Sequence, residues 1–212
     1  MTINDFLTKA RKEKIDLSDY FDLCQFCNDN ELEFDSGASR LCVIFPKEKK
    51  VLKIPKSGCS IDYCAREIHN FKLAQEYKVE KVLLPIALLC EVNGCKVYCQ
   101  PMYTSSMGDM NRKERDKLNE KIKDLPTSKI TKKVQRGVFD GKWRSLDRYW
   151  TARMVQLYGK KFAMSFETWT HTAKVNDLHN SNIGWLDRKP IILDYAGYFE
   201  NGNGVNPFDL SI

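Results

Sequence analysis

The sequence predicts an α+β protein in two parts: a five-stranded antiparallel sheet with one helix, then a mostly helical half. Three observations lead there. Residues 31–102 read as strand, strand, strand, helix, strand, strand, with turn residues between them. Asn93-Gly94 separates the last two of these strands, and that pair favours the tight turn of an antiparallel hairpin. From residue 144 onward the apolar residues recur with helical spacing instead.

Length and composition agree with a globular protein. The chain has 212 residues, of which 42% are hydrophobic and 29% charged, which predicts one domain or two small lobes. That composition excludes a largely disordered chain, a collagen-like one and a membrane bundle. No run of ~18 apolar residues is present, so no membrane partner is expected. The residues from Met1 to Phe6 have neither the basic start nor the apolar stretch of a signal peptide. A cytoplasmic location is therefore expected, with the eight cysteines as reduced thiols. The net charge of +6 suits a phosphate-bearing ligand and equally serves solubility.

Taken in order, residues 2–14 and 18–29 read as two short helices, with Thr2 and Ser18 as N-caps. Tyr20, Phe21, Leu23, Cys24 and Cys27 would form the apolar stripe of the second. This N-terminal part, residues 1–30, reads as a helical appendage that packs on the next part of the chain. Glu31–Asp35, Arg40–Phe45 and Val51–Pro55 are expected strands, with Ser36-Gly37-Ala38-Ser39 and Pro46–Lys50 as their turns. Ser60 to Tyr77 reads as one helix, capped by Ser60, with Tyr63, Ile68, Phe71 and Leu73 as its apolar positions. Val82–Cys90 and Cys95–Cys99 complete the sheet, so residues 31–102 form a first lobe.

The remainder, residues 103–212, forms a second lobe that opens with a charged insert at 103–142. Ten Lys and Arg and four Glu and Asp lie between Arg112 and Arg136, which reads as a solvated face. The acids interleave with the bases and no stacking aromatics accompany them, so nucleic acid is not an expected partner. Residues 144–172 read as a long buried helix, with Leu146, Trp150, Met154, Leu157, Phe162, Phe166 and Trp169 toward the core. A loop and a short hairpin come next.

Four separated features carry chemistry. Lys53 sits in a strand that comes after the small-residue turn of Ser36, Gly37, Ala38 and Ser39. Glu67 lies on the next helix, where it could pair with Lys53. Asp177 and Asn182 stand five residues apart in Asp177-Leu178-His179-Asn180-Ser181-Asn182. Asp194 comes after an apolar run, twelve residues past Asn182. Each suits phosphoryl transfer. Small residues admit phosphates to backbone N–H groups, and Lys53 is a point cation for them. Asn182 and Asp194 offer the hard oxygens that Mg²⁺ prefers, and Asp177 could accept a hydroxyl proton.

This order of motifs resembles the protein-kinase-like superfamily. The Asp-Leu-His-x-x-Asn form of the loop is closest in style to the aminoglycoside phosphotransferase and choline kinase branch, and to small bacterial and phage kinase-like proteins. The resemblance implies a two-lobed kinase-like fold, with residues 31–102 as the N-lobe and 144–198 in a reduced, mostly helical C-lobe. It implies ATP and Mg²⁺ as cofactors and a phosphoryl transfer to a hydroxyl acceptor, a small molecule or a protein. By position it implies Lys53 at the phosphates with Glu67 as its partner. It also implies Asp177 as catalytic base, Asn182 and Asp194 as metal ligands, and Gln100 to Met102 as the hinge at the adenine. Asn176 stands where protein kinases carry Arg, and Asp194-Tyr195-Ala196-Gly197 replaces Asp-Phe-Gly. Eighteen residues lie beyond Asp194, so no helical platform for a peptide is expected there.

The alternative is a kinase-like module without catalysis, acting through a protein partner. Transfer of a nucleotide instead of a phosphoryl group is a third reading. Cys24 and Cys27 have a zinc-like spacing, but a structural site needs four ligands, and a buried helical stripe is the simpler reading.

Overall fold

The computed structural model describes residues 1–103, 154, 157–175, 178, 182–186 and 189–197. The expectations for the charged insert (residues 104–142 of it), Leu146, Trp150, Asp177 and the residues beyond Gly197 lie outside them. The chain is mixed α+β, with four α-helices, one five-stranded antiparallel sheet and a two-stranded hairpin among the described residues. It divides into two compact units. Met1–Arg66 and Ala87–Gln100 belong to the first, and Glu67–Ile86 and Pro101–Gly197 to the second.

The first unit opens with helix α1, Ile3–Glu13. Thr2 caps it as expected: the Thr2 Oγ1 accepts from the Asp5 N–H at 3.1 Å, and the Asp5 carboxylate accepts from the Thr2 N–H. The Glu48 carboxylate accepts from the Ile3 N–H at 2.6 Å, placing a negative charge at the positive end of the helix dipole. At the other end, Asn93 donates to the carbonyls of Ala10 at 3.1 Å and Ile15 at 2.9 Å. A hairpin-turn side chain therefore ties down the last turn of α1 and Ile15 just beyond it.

Helix α2 spans Tyr20–Asp29. Asp19, not Ser18, is its cap, accepting from the N–H groups of Phe21 and Asp22. Ser18 instead donates to Asp16. The buried stripe is Leu23, Phe26 and Cys27, while Tyr20 and Phe21 are exposed. Starting the helix at Tyr20 turns the first two aromatics outward, and Phe26 takes their place.

Strands β1 (Glu33–Ser36), β2 (Arg40–Phe45), β3 (Lys50–Pro55), β4 (Ala87–Val92) and β5 (Cys95–Pro101) form the sheet, ordered β1-β2-β3-β5-β4. In β2 the alternation places Leu41, Val43 and Phe45 inward. Strand β3 lies inside the sheet, and four consecutive residues, Val51 to Ile54, are buried. Asn93 and Gly94 both take positive φ, 50° and 83°, as the turn between β4 and β5 requires. The expected strand from Val82 does not form as a unit. Val82 closes a short 3-10 turn, Glu80–Val82, and β4 begins only at Ala87, two residues past Pro85. Pro85 has no N–H for a ladder, which explains the division.

One apolar core joins the two helices to the sheet. Phe6 packs its ring on Phe26 at 5.4 Å and Phe45 at 5.7 Å. Leu17, Leu23, Leu41, Leu52, Ile54 and Val97 complete its centre.

Helix α3 spans Tyr63–Glu76, and the division between the units falls within it. Asp62, not Ser60, starts it, accepting from the Ala65 N–H at 2.9 Å. Asp62 also accepts from the buried Tyr98 hydroxyl, and Lys96 stands 3.6 Å away. The buried residues of α3 are Cys64, Arg66, Glu67, Asn70 and Ala74, whereas Tyr63, Ile68, Phe71 and Leu73 are half-buried. Polar side chains thus share the buried face of α3, and the expected apolar positions stay at its margin.

In the second unit, helix α4 spans Lys160–Thr172. Gly159, at φ 85°, precedes it and ends the helical turn of Leu157 and Tyr158, so the expected helix is not continuous. Met154, Phe162, Phe166 and Trp169 are buried, and Leu157 is exposed. Strands β6 (Ile183–Leu186) and β7 (Lys189–Ile192) form the expected hairpin. Its end is tied to the segment after α3, where the Leu84 N–H donates to the Ile192 carbonyl at 2.8 Å.

Candidate functional site

The β1–β2 turn is held by backbone bonds. The Gly37 N–H donates to the Arg40 carbonyl at 3.0 Å, and the Lys56 N–H to the Ser39 carbonyl at 3.1 Å. Gly37 and Ala38 are exposed, and Ser36 and Ser39 half-buried. A Cβ at Gly37 would meet only the Arg40 carbonyl oxygen, at 3.8 Å. Packing within the chain therefore does not demand glycine at this place.

Lys53 lies at the middle of β3, opposite Cys42 of β2, and is only 7% exposed. A lysine on an edge strand would have kept its charge in water. Here the strand is internal, and burial of an ammonium is costly unless a negative group or hydrogen bonds compensate it. Gln100, near the end of β5, is buried in the same unit at 3% exposure. Met102, just past β5, is half-buried.

Glu67 belongs to the second unit and is fully buried on α3. Three residues on, Asn70 shares its buried face. Neighbouring Arg66 is buried as well, and burial holds its guanidinium below the ordinary arginine range.

Asn182 and Asp194 stand at the two ends of the β6–β7 hairpin. Ile183 pairs with Ile192, and the Leu193 N–H donates to the Asn182 carbonyl at 2.8 Å, extending the ladder by one step. Asp194 is the next residue. Its Oδ1 accepts from the Ala196 N–H at 3.3 Å, a turn of the kind that Asp side chains make with backbone two residues on. Twelve residues of separation in sequence thus collapse to adjacency across a hairpin mouth. Both side chains are half-buried. Asp177 lies outside the described residues; its neighbour Leu178 is buried.

Two residues to which the sequence reading gave no role, Asn70 and Tyr195, support this corner. Asn70 donates from Nδ2 to the Tyr195 carbonyl at 2.8 Å. The Tyr195 hydroxyl donates to the Leu84 carbonyl, also at 2.8 Å. The signal for Asn70 was present in the sequence: Cys64, Glu67, Asn70 and Ala74 lie on one helical face at steps of three, three and four. Its polar members hid that face from a hydrophobicity pattern.

None of the eight cysteines, all of them among the described residues, is in a disulfide. Cys27 is buried and its thiol is pushed up to about 12, first by burial and then by the nearby Cys24. Burial likewise pushes Cys95 up to about 11. Among the described residues no three His, Cys, Asp or Glu side chains converge as an ion site. No family model matches this chain, and neither curated proteins nor solved structures include a match.

Proposed function

We propose that this protein is a Mg²⁺·ATP-dependent phosphotransferase of the protein-kinase-like kind, moving the γ-phosphoryl group to a hydroxyl acceptor. The observation that carries the reading is the hairpin mouth, where the main chain of Asn182 is bonded to that of Leu193, the residue before Asp194, so that two motifs carrying oxygen donors meet at one end of the hairpin. Hard oxygen donors of this type suit Mg²⁺. A bound Mg²⁺ would supply positive charge against the phosphates.

Three further observations support it. Lys53 is on the third strand and Glu67 on the next helix, the positions that the phosphate-binding lysine and its glutamate hold in protein kinases. Both are buried, which ordinary surface charges are not. The turn at Gly37 leaves room above its backbone, as close approach of a phosphate would require. Lys53 is assigned to the nucleotide phosphates, and Glu67 to the role of its carboxylate partner. Ser36 to Ser39 form the phosphate turn, and Gln100 with Met102 meet the base. Asp177 is assigned to orient and deprotonate the acceptor hydroxyl.

Calorimetry of ATP binding with and without Mg²⁺, on wild type and Asp194→Ala, tests this reading. Binding should strengthen with Mg²⁺, and Asp194→Ala should lose that gain. Absence of ATP binding by the wild type would refute it. Mg²⁺·ATP binding without phosphoryl transfer to any hydroxyl would replace it with the non-catalytic module.

A further inference from the structure

We infer that Asn70 and the Tyr195 hydroxyl are positioning residues that hold Asp194 in its cation-binding place; this rests on the reading of Asp194 as a metal ligand. A short acidic side chain offers its carboxylate in a fixed direction only if the backbone under it is fixed. The residue after Asp194 is held at three points. Its carbonyl accepts from Asn70 Nδ2 on α3, at 2.8 Å. Its hydroxyl donates to the Leu84 carbonyl, at 2.8 Å. Its ring lies 6.5 Å from Phe71 and 6.4 Å from Trp169.

The anchors are themselves anchored. Trp169 on α4 donates from Nε1 to the main-chain carbonyl of Asn70, at 3.0 Å. Leu84, which receives the Tyr195 hydroxyl, donates its own N–H to Ile192 at the end of β7. Leu193 then closes back on Asn182. A connected set of bonds therefore runs from α4 through α3 to Tyr195, and from Tyr195 through Leu84 to the hairpin that carries both candidate ligands. Asn70, Trp169 and Tyr195 are all buried, Tyr195 and Trp169 completely. A network this enclosed does not exchange its partners with water, and a missing member leaves its neighbour unsatisfied.

An apolar core alone would not need it. Phenylalanine at 195 and leucine at 70 would fill the same space, and the packing against Phe71 and Trp169 would survive. The polar atoms add direction, and what they direct is the backbone on either side of Asp194. Outer residues that orient a metal ligand commonly change metal affinity by 10–100-fold when removed.

Tyr195→Phe and Asn70→Ala test the inference, read by calorimetry as the Mg²⁺ concentration giving half-maximal gain in ATP binding. Each variant should need roughly tenfold more Mg²⁺, while its ATP affinity without Mg²⁺ stays at the wild-type value. Residues with a purely structural role would lower the melting temperature and leave the Mg²⁺ requirement alone, and that result would overturn the inference. Tyr195→Phe removes one oxygen and keeps the ring, so it decides the matter if Asn70→Ala does not fold. A wild type without Mg²⁺-dependent ATP binding would remove the proposed function and this inference together. Loss of the gain in Asp194→Ala, with both positioning variants unchanged, would remove the inference alone.

Discussion

The two units solve the same problem, covering a helix and a strand, by different chemistry. In the first, Phe6, Leu17, Leu23, Leu41, Leu52 and Ile54 meet in a core made of side chains without polar atoms. In the second, Asn70, Trp169 and Tyr195 are buried together, and each uses a polar atom on a neighbour's backbone. Apolar contact is nearly indifferent to direction, so the first core sets how close its elements lie. Hydrogen bonds weaken steeply when misaligned, so the second sets how its backbone is oriented. The segment that carries Asp194 lies in the second kind of surroundings. A scaffold can be packed with oil, whereas a ligand that must face one way needs bonds.

The contrast can be broken by mutation. The largest expected effect is Phe6→Ala, which would cost about 3–5 kcal/mol, because the ring is fully buried against two others and leaves a cavity. Urea unfolding measures it, and a loss under about 1 kcal/mol would show that the first core is not cohesive. Trp169→Phe sharpens the other side. It retains an aromatic ring but removes the indole N–H and part of a fully buried ring system, so a cost of about 1–3 kcal/mol is expected from the lost bond to the Asn70 carbonyl and the space left behind. If that variant melted like the wild type, the second unit would be held by packing as the first is.

Tyr98→Phe should show the smallest effect, about 1–2 kcal/mol, from loss of the bond to Asp62 at the start of α3. Its pH dependence provides a second check. Burial, and next the bond to Asp62, push the Tyr98 phenol above the ordinary tyrosine range. A group raised on folding contributes its stability in full below the unfolded value, near pH ~10 for tyrosine, and loses it as pH rises toward the folded one. Wild-type stability should therefore fall in alkali more steeply than that of Tyr98→Phe. Parallel curves would place Tyr98 in contact with solvent.

How much of this was legible in the sequence depends on the force involved. Thr2 announced the start of α1, because a cap acts over one turn of chain. Asn93-Gly94 announced its hairpin for the same local reason. The start of α2 was misplaced by the choice between Ser18 and Asp19. Both are good caps, and only the bond from Ser18 to Asp16 decides between them. The strand expected from Val82 is divided at Pro85, and ahead of it Leu83 and Leu84 take a partner, Ile192, more than a hundred residues away. The candidate site was legible as residue types. Lys53, Glu67, Asn182 and Asp194 stood out by spacing, whereas the roles of Asn70 and Tyr195 did not, since their partners are distant in sequence.

By itself the sequence determined the mixed α+β composition, the five strands and their turns, and the residue types on which a phosphate and cation reading rests. These arise from propensity, alternation and caps, which act between neighbours in the chain. Only the tertiary structure decided that Lys53 and Glu67 would be buried, and that α3 would turn Glu67 and Asn70 inward while Phe71 stayed at the margin. It alone brought Asn182 beside Asp194 and fastened Tyr195 to α3 and Leu84. The reason is physical: the burial of a charge and the angle of a hydrogen bond depend on groups distant in sequence, and no local pattern encodes where those groups will be.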